Sequence, residues 1–177
     1  MHILRTVVAV VAAGVALAAQ APARPSNPFG EPERTRTAHL TLEAQVSRTS
    51  VAPGARITVT LDVTPNRAMH VYAPGKHDYQ VVRLSITPQS YLRVEPTQYP
   101  PSDRYYFEPL DETVEVYSNR FRLTRQVTLL DSPAARKALA GRSSIELAAA
   151  LEYQACDDAV CYSPSKVPVL FTLTLER

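Results

Sequence analysis

Two residues in this chain of 177 carry a thiol, and they lie close together. Cys156 and Cys161 flank four residues in the segment Tyr153-Gln154-Ala155-Cys156-Asp157-Asp158-Ala159-Val160-Cys161-Tyr162-Ser163-Pro164. A hairpin-type connection of that length brings two Cα atoms within the ~4.4–6.8 Å that a disulfide requires. Such a pair can exchange electrons with other thiols, staple a loop, or share a metal ion. In the chain-entropy model so short a loop removes roughly 2 kcal/mol from the unfolded state, against ~4.7 kcal/mol for a loop of about a hundred residues. A cross-link placed for stability does better between distant strands, so the spacing favours exchange over reinforcement. The metal alternative needs zinc or copper on two thiolates with His70 or His77 completing the set. Against it, the spacing is not a common zinc pattern and no second cysteine pair exists.

The neighbours of the two sulfurs differ. Asp157 and Asp158 follow Cys156, whereas Cys161 sits between Val160 and Tyr162. Carboxylate charge disfavours a nearby thiolate and raises the thiol pKa, most strongly for Cys156. This assigns Cys161 as the sulfur that forms a mixed disulfide with a partner and Cys156 as its resolving thiol. The alternative is that both aspartates are solvated turn residues. No serine–histidine–aspartate constellation and no glycine-rich phosphate loop accompanies the pair, which argues against hydrolase or nucleotide chemistry.

The elements that must position these cysteines read as strands. Leu40, Leu42, Ala44 and Val46 alternate with polar residues, and after a turn at Pro53-Gly54 so do Ile57, Val59, Leu61 and Val63. Further strands are expected at 69–73, 81–87, 91–95 and 114–117, then from Phe121 to Leu129 and from Val167 to Leu175. Asp131-Ser132-Pro133 caps a short helical turn to about Leu139. The stretch 144–154 is rich in alanine and leucine, which favour helix. Its apolar residues nevertheless alternate, so it reads as a strand. Short strands at this spacing without a βαβ rhythm predict an all-β, immunoglobulin-like antiparallel β-sandwich.

The ends and the bulk numbers agree with an exported single domain. Residues 1–23 have the layout of a secretory signal peptide: Arg5, an apolar run from Val7 to Ala19, and small residues at Ala21-Pro22-Ala23. Residues 24–37, rich in Pro, Arg and Glu, read as a flexible leader, and 38–177 as the folded domain. Export to the periplasm, or another oxidising compartment, lets disulfides form and exchange. With a formal charge of +2 and 45% hydrophobic residues, the chain lacks a nucleic-acid binder's basic stripe and can bury a proper core. After signal removal it is not expected to be membrane-embedded.

The cysteine segment, with Met69-His70-Val71-Tyr72-Ala73-Pro74-Gly75 and Glu115-Val116-Tyr117-Ser118-Asn119-Arg120-Phe121, resembles the amino-terminal periplasmic domain of the thiol:disulfide interchange protein DsbD. The resemblance runs from about Leu40 to Leu175. It implies a redox-active pair that needs no cofactor and passes reducing equivalents to periplasmic thioredoxin-like thiol proteins. For a free-standing domain it also implies a separate membrane electron-conduit protein of DsbD type as the source. By position, His70 and Tyr72 would line the site; Asp157, Asp158 and Tyr162, beside the cysteines in sequence, are expected to line it with them. Residues 102–111, with Tyr105, Tyr106 and Phe107, would form a cap that hides the reduced sulfurs from oxidants. Two other readings remain: an immunoglobulin-like binding module with a structural loop disulfide, and a periplasmic metal-handling protein.

Overall fold

The computed structural model describes residues 33–108 and 111–176. The expected signal peptide and most of the expected leader lie outside them. In chain order the strands are β1 (Glu33–Arg36), β2 (Leu40–Val46), β3 (Ser50–Val51), β4 (Arg56–Pro65), β5 (His70–Tyr72), β6 (Arg83–Ile86) and β7 (Leu92–Val94). They continue with β8 (Asp103–Phe107), β9 (Glu112–Tyr117), β10 (Phe121–Leu129), β11 (Ser144–Tyr153), β12 (Ala155–Cys156) and β13 (Ser165–Leu175). The α-helix α1 (Pro133–Leu139) is capped by Ser132, whose Oγ accepts from the Ala135 N–H at 3.2 Å.

Strand alternation turns directly into layers. In β2, Leu40, Leu42, Ala44 and Val46 are buried while the residues between them are half-exposed. Those four join Ile57, Val59, Leu61 and Val63 of β4 on the inner face of the sheet β1-β2-β4-β10-β7. A second sheet, β3-β13-β11-β6, sends Ile145, Leu147, Leu151, Val167 and Val169 into the same apolar cluster. The result is an all-β sandwich with mainly antiparallel pairing, as the periodicity requires. Gly54 takes φ +85°, a left-handed value that glycine adopts without a Cβ clash, at the turn expected there.

The alanine-rich stretch is the strand β11, paired with β13 over its whole length and with β6 along its second half. Helix propensity loses here because burial of alternate residues against two neighbours outweighs a few tenths of a kcal/mol per alanine. Four strands were not expected, two of them the two-residue strands β3 and β12, which are too short to show an alternation. β1 pairs with β2 although it falls in the segment read as leader. None of its residues is buried, so it carries no apolar alternation to read. β8 lies in the segment expected to be the cap and is an ordered strand paired with β9.

A third sheet, β12-β5-β9-β8, carries the cysteines. Val71, Ala155 and Tyr117 belong to the main core, whereas Tyr72, Val114, Val116 and Cys156 form a separate small cluster. The sandwich therefore holds one face of this sheet and leaves the other to build a site.

At the edge leading to the cysteines, Glu152 ties three strands together. Its carboxylate accepts hydrogen bonds from Arg83 of β6 and from Ser85, and pairs with Lys166 of β13 at 3.2 Å. These partners, Arg83 foremost, hold its pKa down from 4.5 to about 2. A folded value below the unfolded one stabilises the protein above the ordinary glutamate range, and that contribution is lost as pH falls toward the folded value. Exposure of the arginine and lysine limits the size. Glu152→Gln should cost about 1 kcal/mol in denaturant unfolding at neutral pH, with the difference vanishing near pH 2.

Candidate functional site

The register of the third sheet decides which side chains meet. Cys156 of β12 lies opposite His70 of β5, and Tyr72 lies opposite Val116 of β9. Across the next pairing, Val114 opposes Tyr105 and Glu112 opposes Phe107 of β8. Side chains alternate along strands, so His70 with Tyr72, Glu112 with Val114 and Val116, and Tyr105 with Phe107 share one face. That face is a narrow cleft around the two sulfurs.

Cys156 and Cys161 are joined by a disulfide. Two backbone bonds flank the pair, from Asp157 N–H to Val160 O at 3.0 Å and from Tyr162 N–H to Ala155 O at 2.9 Å. The cysteines themselves sit at the non-hydrogen-bonded position between them, where opposed strands approach most closely. Their Cα atoms are 4.1 Å apart. The two residues are not equivalent: Cys156 is 1% exposed, and Cys161 is an exposed residue at the rim.

Asp157 shapes the loop between them. Its Oδ1 accepts from the N–H groups of Ala159 at 2.8 Å and Val160 at 2.7 Å, and its Oδ2 from the Tyr162 hydroxyl at 2.9 Å. These donors, the backbone N–H groups first, hold its carboxyl below the usual aspartate range. The negative charge beside Cys156 is therefore permanent at neutral pH. Tyr162 lines the cleft from neither side. Its ring lies 4.5 Å from that of His39, and its carbonyl accepts from Gln154. It follows Cys161 directly, so alternation turns it to the opposite face, where it braces the loop.

Tyr72 reaches both sulfurs, its hydroxyl 3.1 Å from Cys156 Sγ and 3.3 Å from Cys161 Sγ. Burial, with the nearby Tyr79 and Glu112, pushes its pKa well above the usual tyrosine range, so the hydroxyl stays protonated. Tyr79 stacks on Tyr72 with ring centroids 4.1 Å apart and donates to Glu112 Oε2 at 2.9 Å. His70 is 4% exposed, and burial lowers its pKa against the opposing pull of Asp158 and Asp157. A neutral imidazole is the consequence at neutral pH.

The expected cap divides by strand alternation. Tyr105 lays its ring 4.6 Å from that of His70 and donates to Asp158 Oδ1 at 2.9 Å, joining β8 to the cysteine loop. Phe107 lines the cleft beside it. Tyr106 lies on the other face, 56% exposed and hydrogen-bonded to Asp111. Among the described residues no group of three or more His, Cys, Asp and Glu side chains is placed to hold a metal ion. The strand pattern carried no signal for Tyr79 and Glu112. Tyr79 comes from the loop after β5, and Glu112 is selected only by the register of β8 on β9.

The family model for the N-terminal domain of the thiol:disulfide interchange protein DsbD matches residues 37–173. No curated protein matches the chain. Among solved structures, the crystal structure of the N-terminal periplasmic domain of ScsB from Proteus mirabilis is similar, with a TM-score of 0.53 at 13% identity. The likeness, one of fold, covers 78% of this chain and 47% of that one, so the chain spans about half its length. The family match runs through every strand that builds the cleft, and the chain belongs to the family of DsbD N-terminal domains.

Proposed function

We propose that the protein is a periplasmic thiol–disulfide exchange protein that passes reducing equivalents through Cys156 and Cys161 to other thiol proteins. The observation that carries this reading is the asymmetry of the disulfide: one sulfur belongs to an exposed residue, the other to a buried one, under a cleft roofed by aromatic rings. A loop staple needs neither the asymmetry nor the roof. Exchange needs both, because a partner must reach one sulfur while the second waits to displace it.

In the reducing direction, the Cys161 thiolate attacks a partner disulfide and forms a mixed disulfide, releasing one partner thiolate. Cys156 then attacks Cys161 Sγ, the bond to the partner breaks, and the partner leaves with two thiols. Electrons return when a membrane electron-conduit protein of DsbD type reverses these steps on the Cys156–Cys161 disulfide. The thiol proteins served are of thioredoxin-like type. Residues 1–23 act as the signal peptide that delivers the chain, and the leader that follows ends where β1 joins the sheet. Among the described residues no helix is long and apolar enough to cross a membrane.

Trapping with a thioredoxin-like partner tests the order of attack. Cys156→Ala should accumulate a mixed disulfide through Cys161, and Cys161→Ala should give none. The reverse pattern would assign the roles the other way round. The roof gives a second test. Tyr105→Ala and Phe107→Ala should each speed oxidation of the reduced pair by peroxide about fivefold, the equivalent of losing roughly 1 kcal/mol of closure. Tyr106→Ala, on the outer face, should leave the rate unchanged. Equal rates in all three would show that β8 shields nothing.

A further inference from the structure

Breaking the Cys156–Cys161 bond frees the loop between the cysteines to open unless other contacts hold its two arms together. Asp157 and Tyr162 each follow a cysteine directly, one on each arm. The Tyr162 hydroxyl donates to Asp157 Oδ2 at 2.9 Å, so a side-chain bridge spans the arms beside the disulfide without involving either sulfur.

Each arm is itself anchored. Cys156 belongs to β12, which pairs with β5. On the other arm, the Tyr162 ring lies 4.5 Å from that of His39, tilted by 38°, and the Tyr162 carbonyl accepts from Gln154 Nε2 at 3.2 Å. His39 is fixed in turn. The Asn66 N–H donates to its carbonyl at 2.8 Å, and Asn66 Nδ2 donates to Ala38 O at 2.8 Å. Between the arms, Asp157 Oδ1 gathers the N–H groups of Ala159 and Val160, which folds the intervening residues into a turn of their own. The same carboxylate thus closes the tip of the loop through one oxygen and joins its arms through the other.

We propose that Asp157 and Tyr162 are positioning residues for disulfide exchange: a clasp that keeps the loop closed while the cysteines are unbonded, and so speeds the return of Cys156 to Cys161. While Cys161 is bonded to a partner, the clasp holds its arm beside Cys156. Cys156 then gives its proton to the buffer, and its sulfur bonds to Cys161 Sγ as the Cys161–partner bond breaks. The partner sulfur leaves as a thiolate with the electron pair. The cysteine pair is oxidised by two electrons and the partner disulfide reduced by two. Two groups held face to face react with a high effective molarity, and the clasp supplies that hold without touching the reacting atoms. A contact made more completely in the closed loop also favours the disulfide at equilibrium, by the same factor that the disulfide favours the contact.

The neighbouring contacts do not duplicate the bridge. Asp158 accepts from Tyr105 and so joins the loop to β8, not one arm to the other. The Tyr72 hydroxyl lies against both sulfurs and belongs to the cleft.

The clasp rests on the exchange reading, and one set of measurements separates the two. The reduced full chain, in excess, is mixed with 5,5′-dithiobis(2-nitrobenzoate), and release of the nitrobenzoate thiolate is followed by stopped-flow absorbance. A first phase reports attack by Cys161, a second the closure by Cys156. The equilibrium constant for closing the pair is measured in parallel against glutathione. Tyr162→Phe deletes only the bridging hydroxyl and keeps both a ring against His39 and the Asp157 carboxylate. It should slow the second phase roughly fivefold, leave the first within about twofold, and lower the equilibrium constant roughly fivefold. Asp157→Ala should lower the equilibrium constant as well, and Tyr162→Phe should add nothing in that background. An unchanged second phase and equilibrium, equal slowing of both phases, or full additivity of the two substitutions would each overturn the clasp and leave exchange intact. If no glutathione ratio reduces the parent pair, the exchange reading falls, and the clasp as an aid to exchange falls with it.

Discussion

Two cysteines facing each other across an antiparallel pair can bond only where the strands come close enough, and the non-hydrogen-bonded positions are the close ones. The bonds Asp157 N–H to Val160 O and Tyr162 N–H to Ala155 O place Cys156 and Cys161 at such a position. Everything else at the site follows from that placement. Pairing of β12 with β5 sets Cys156 opposite His70, which puts Tyr72 on the same face two residues on. The pairing of β9 with β8 then adds Glu112, Tyr105 and Phe107. A slip of one residue in either pairing would turn these side chains to the opposite face.

The large sandwich and the small sheet divide the work. The two big sheets bury a continuous apolar cluster, which supplies the driving force for folding. The third sheet is held to that cluster by Val71, Ala155 and Tyr117, so its outer face is free to be polar and aromatic. There the chain accepts arrangements that a core would avoid: a carboxylate beside a buried sulfur, a desolvated histidine, and a tyrosine hydroxyl against both sulfurs. Asp157 is tolerated because three donors satisfy it within the loop. The aromatic face of β8 is joined to the cysteine loop by the hydrogen bond from Tyr105 to Asp158 and packs its Tyr105 ring on His70.

Much of this was legible in the chain because strand alternation survives wherever one face is buried. β2, β4, β10, β11 and β13 each show it, and β11 shows it despite its alanines. The cysteine pair and the aromatic strand His70–Tyr72 were visible as residue types at a telling spacing. What could not be read was register. Tyr105, Tyr106 and Phe107 look alike in sequence, and only pairing with β9 separates the two that face the sulfurs from the one that faces solvent. Tyr162, next to Cys161, was placed at the site by proximity in the chain, whereas adjacent strand residues point apart and its ring meets His39. Tyr79 and Glu112 come together from 33 residues apart, without any local motif to announce them. β1 escaped because an edge strand with no buried residue has no pattern to show.

The central claim is that the bond between Cys156 and Cys161 is made and broken in use and is not a loop staple. The equilibrium reduction potential of the pair, measured in the mature protein against a glutathione buffer series, tests it most directly. A value between roughly −180 and −270 mV, the span of proteins that exchange disulfides, is the expected result. A value well below about −300 mV would contradict it, because such a bond resists reduction as structural disulfides do.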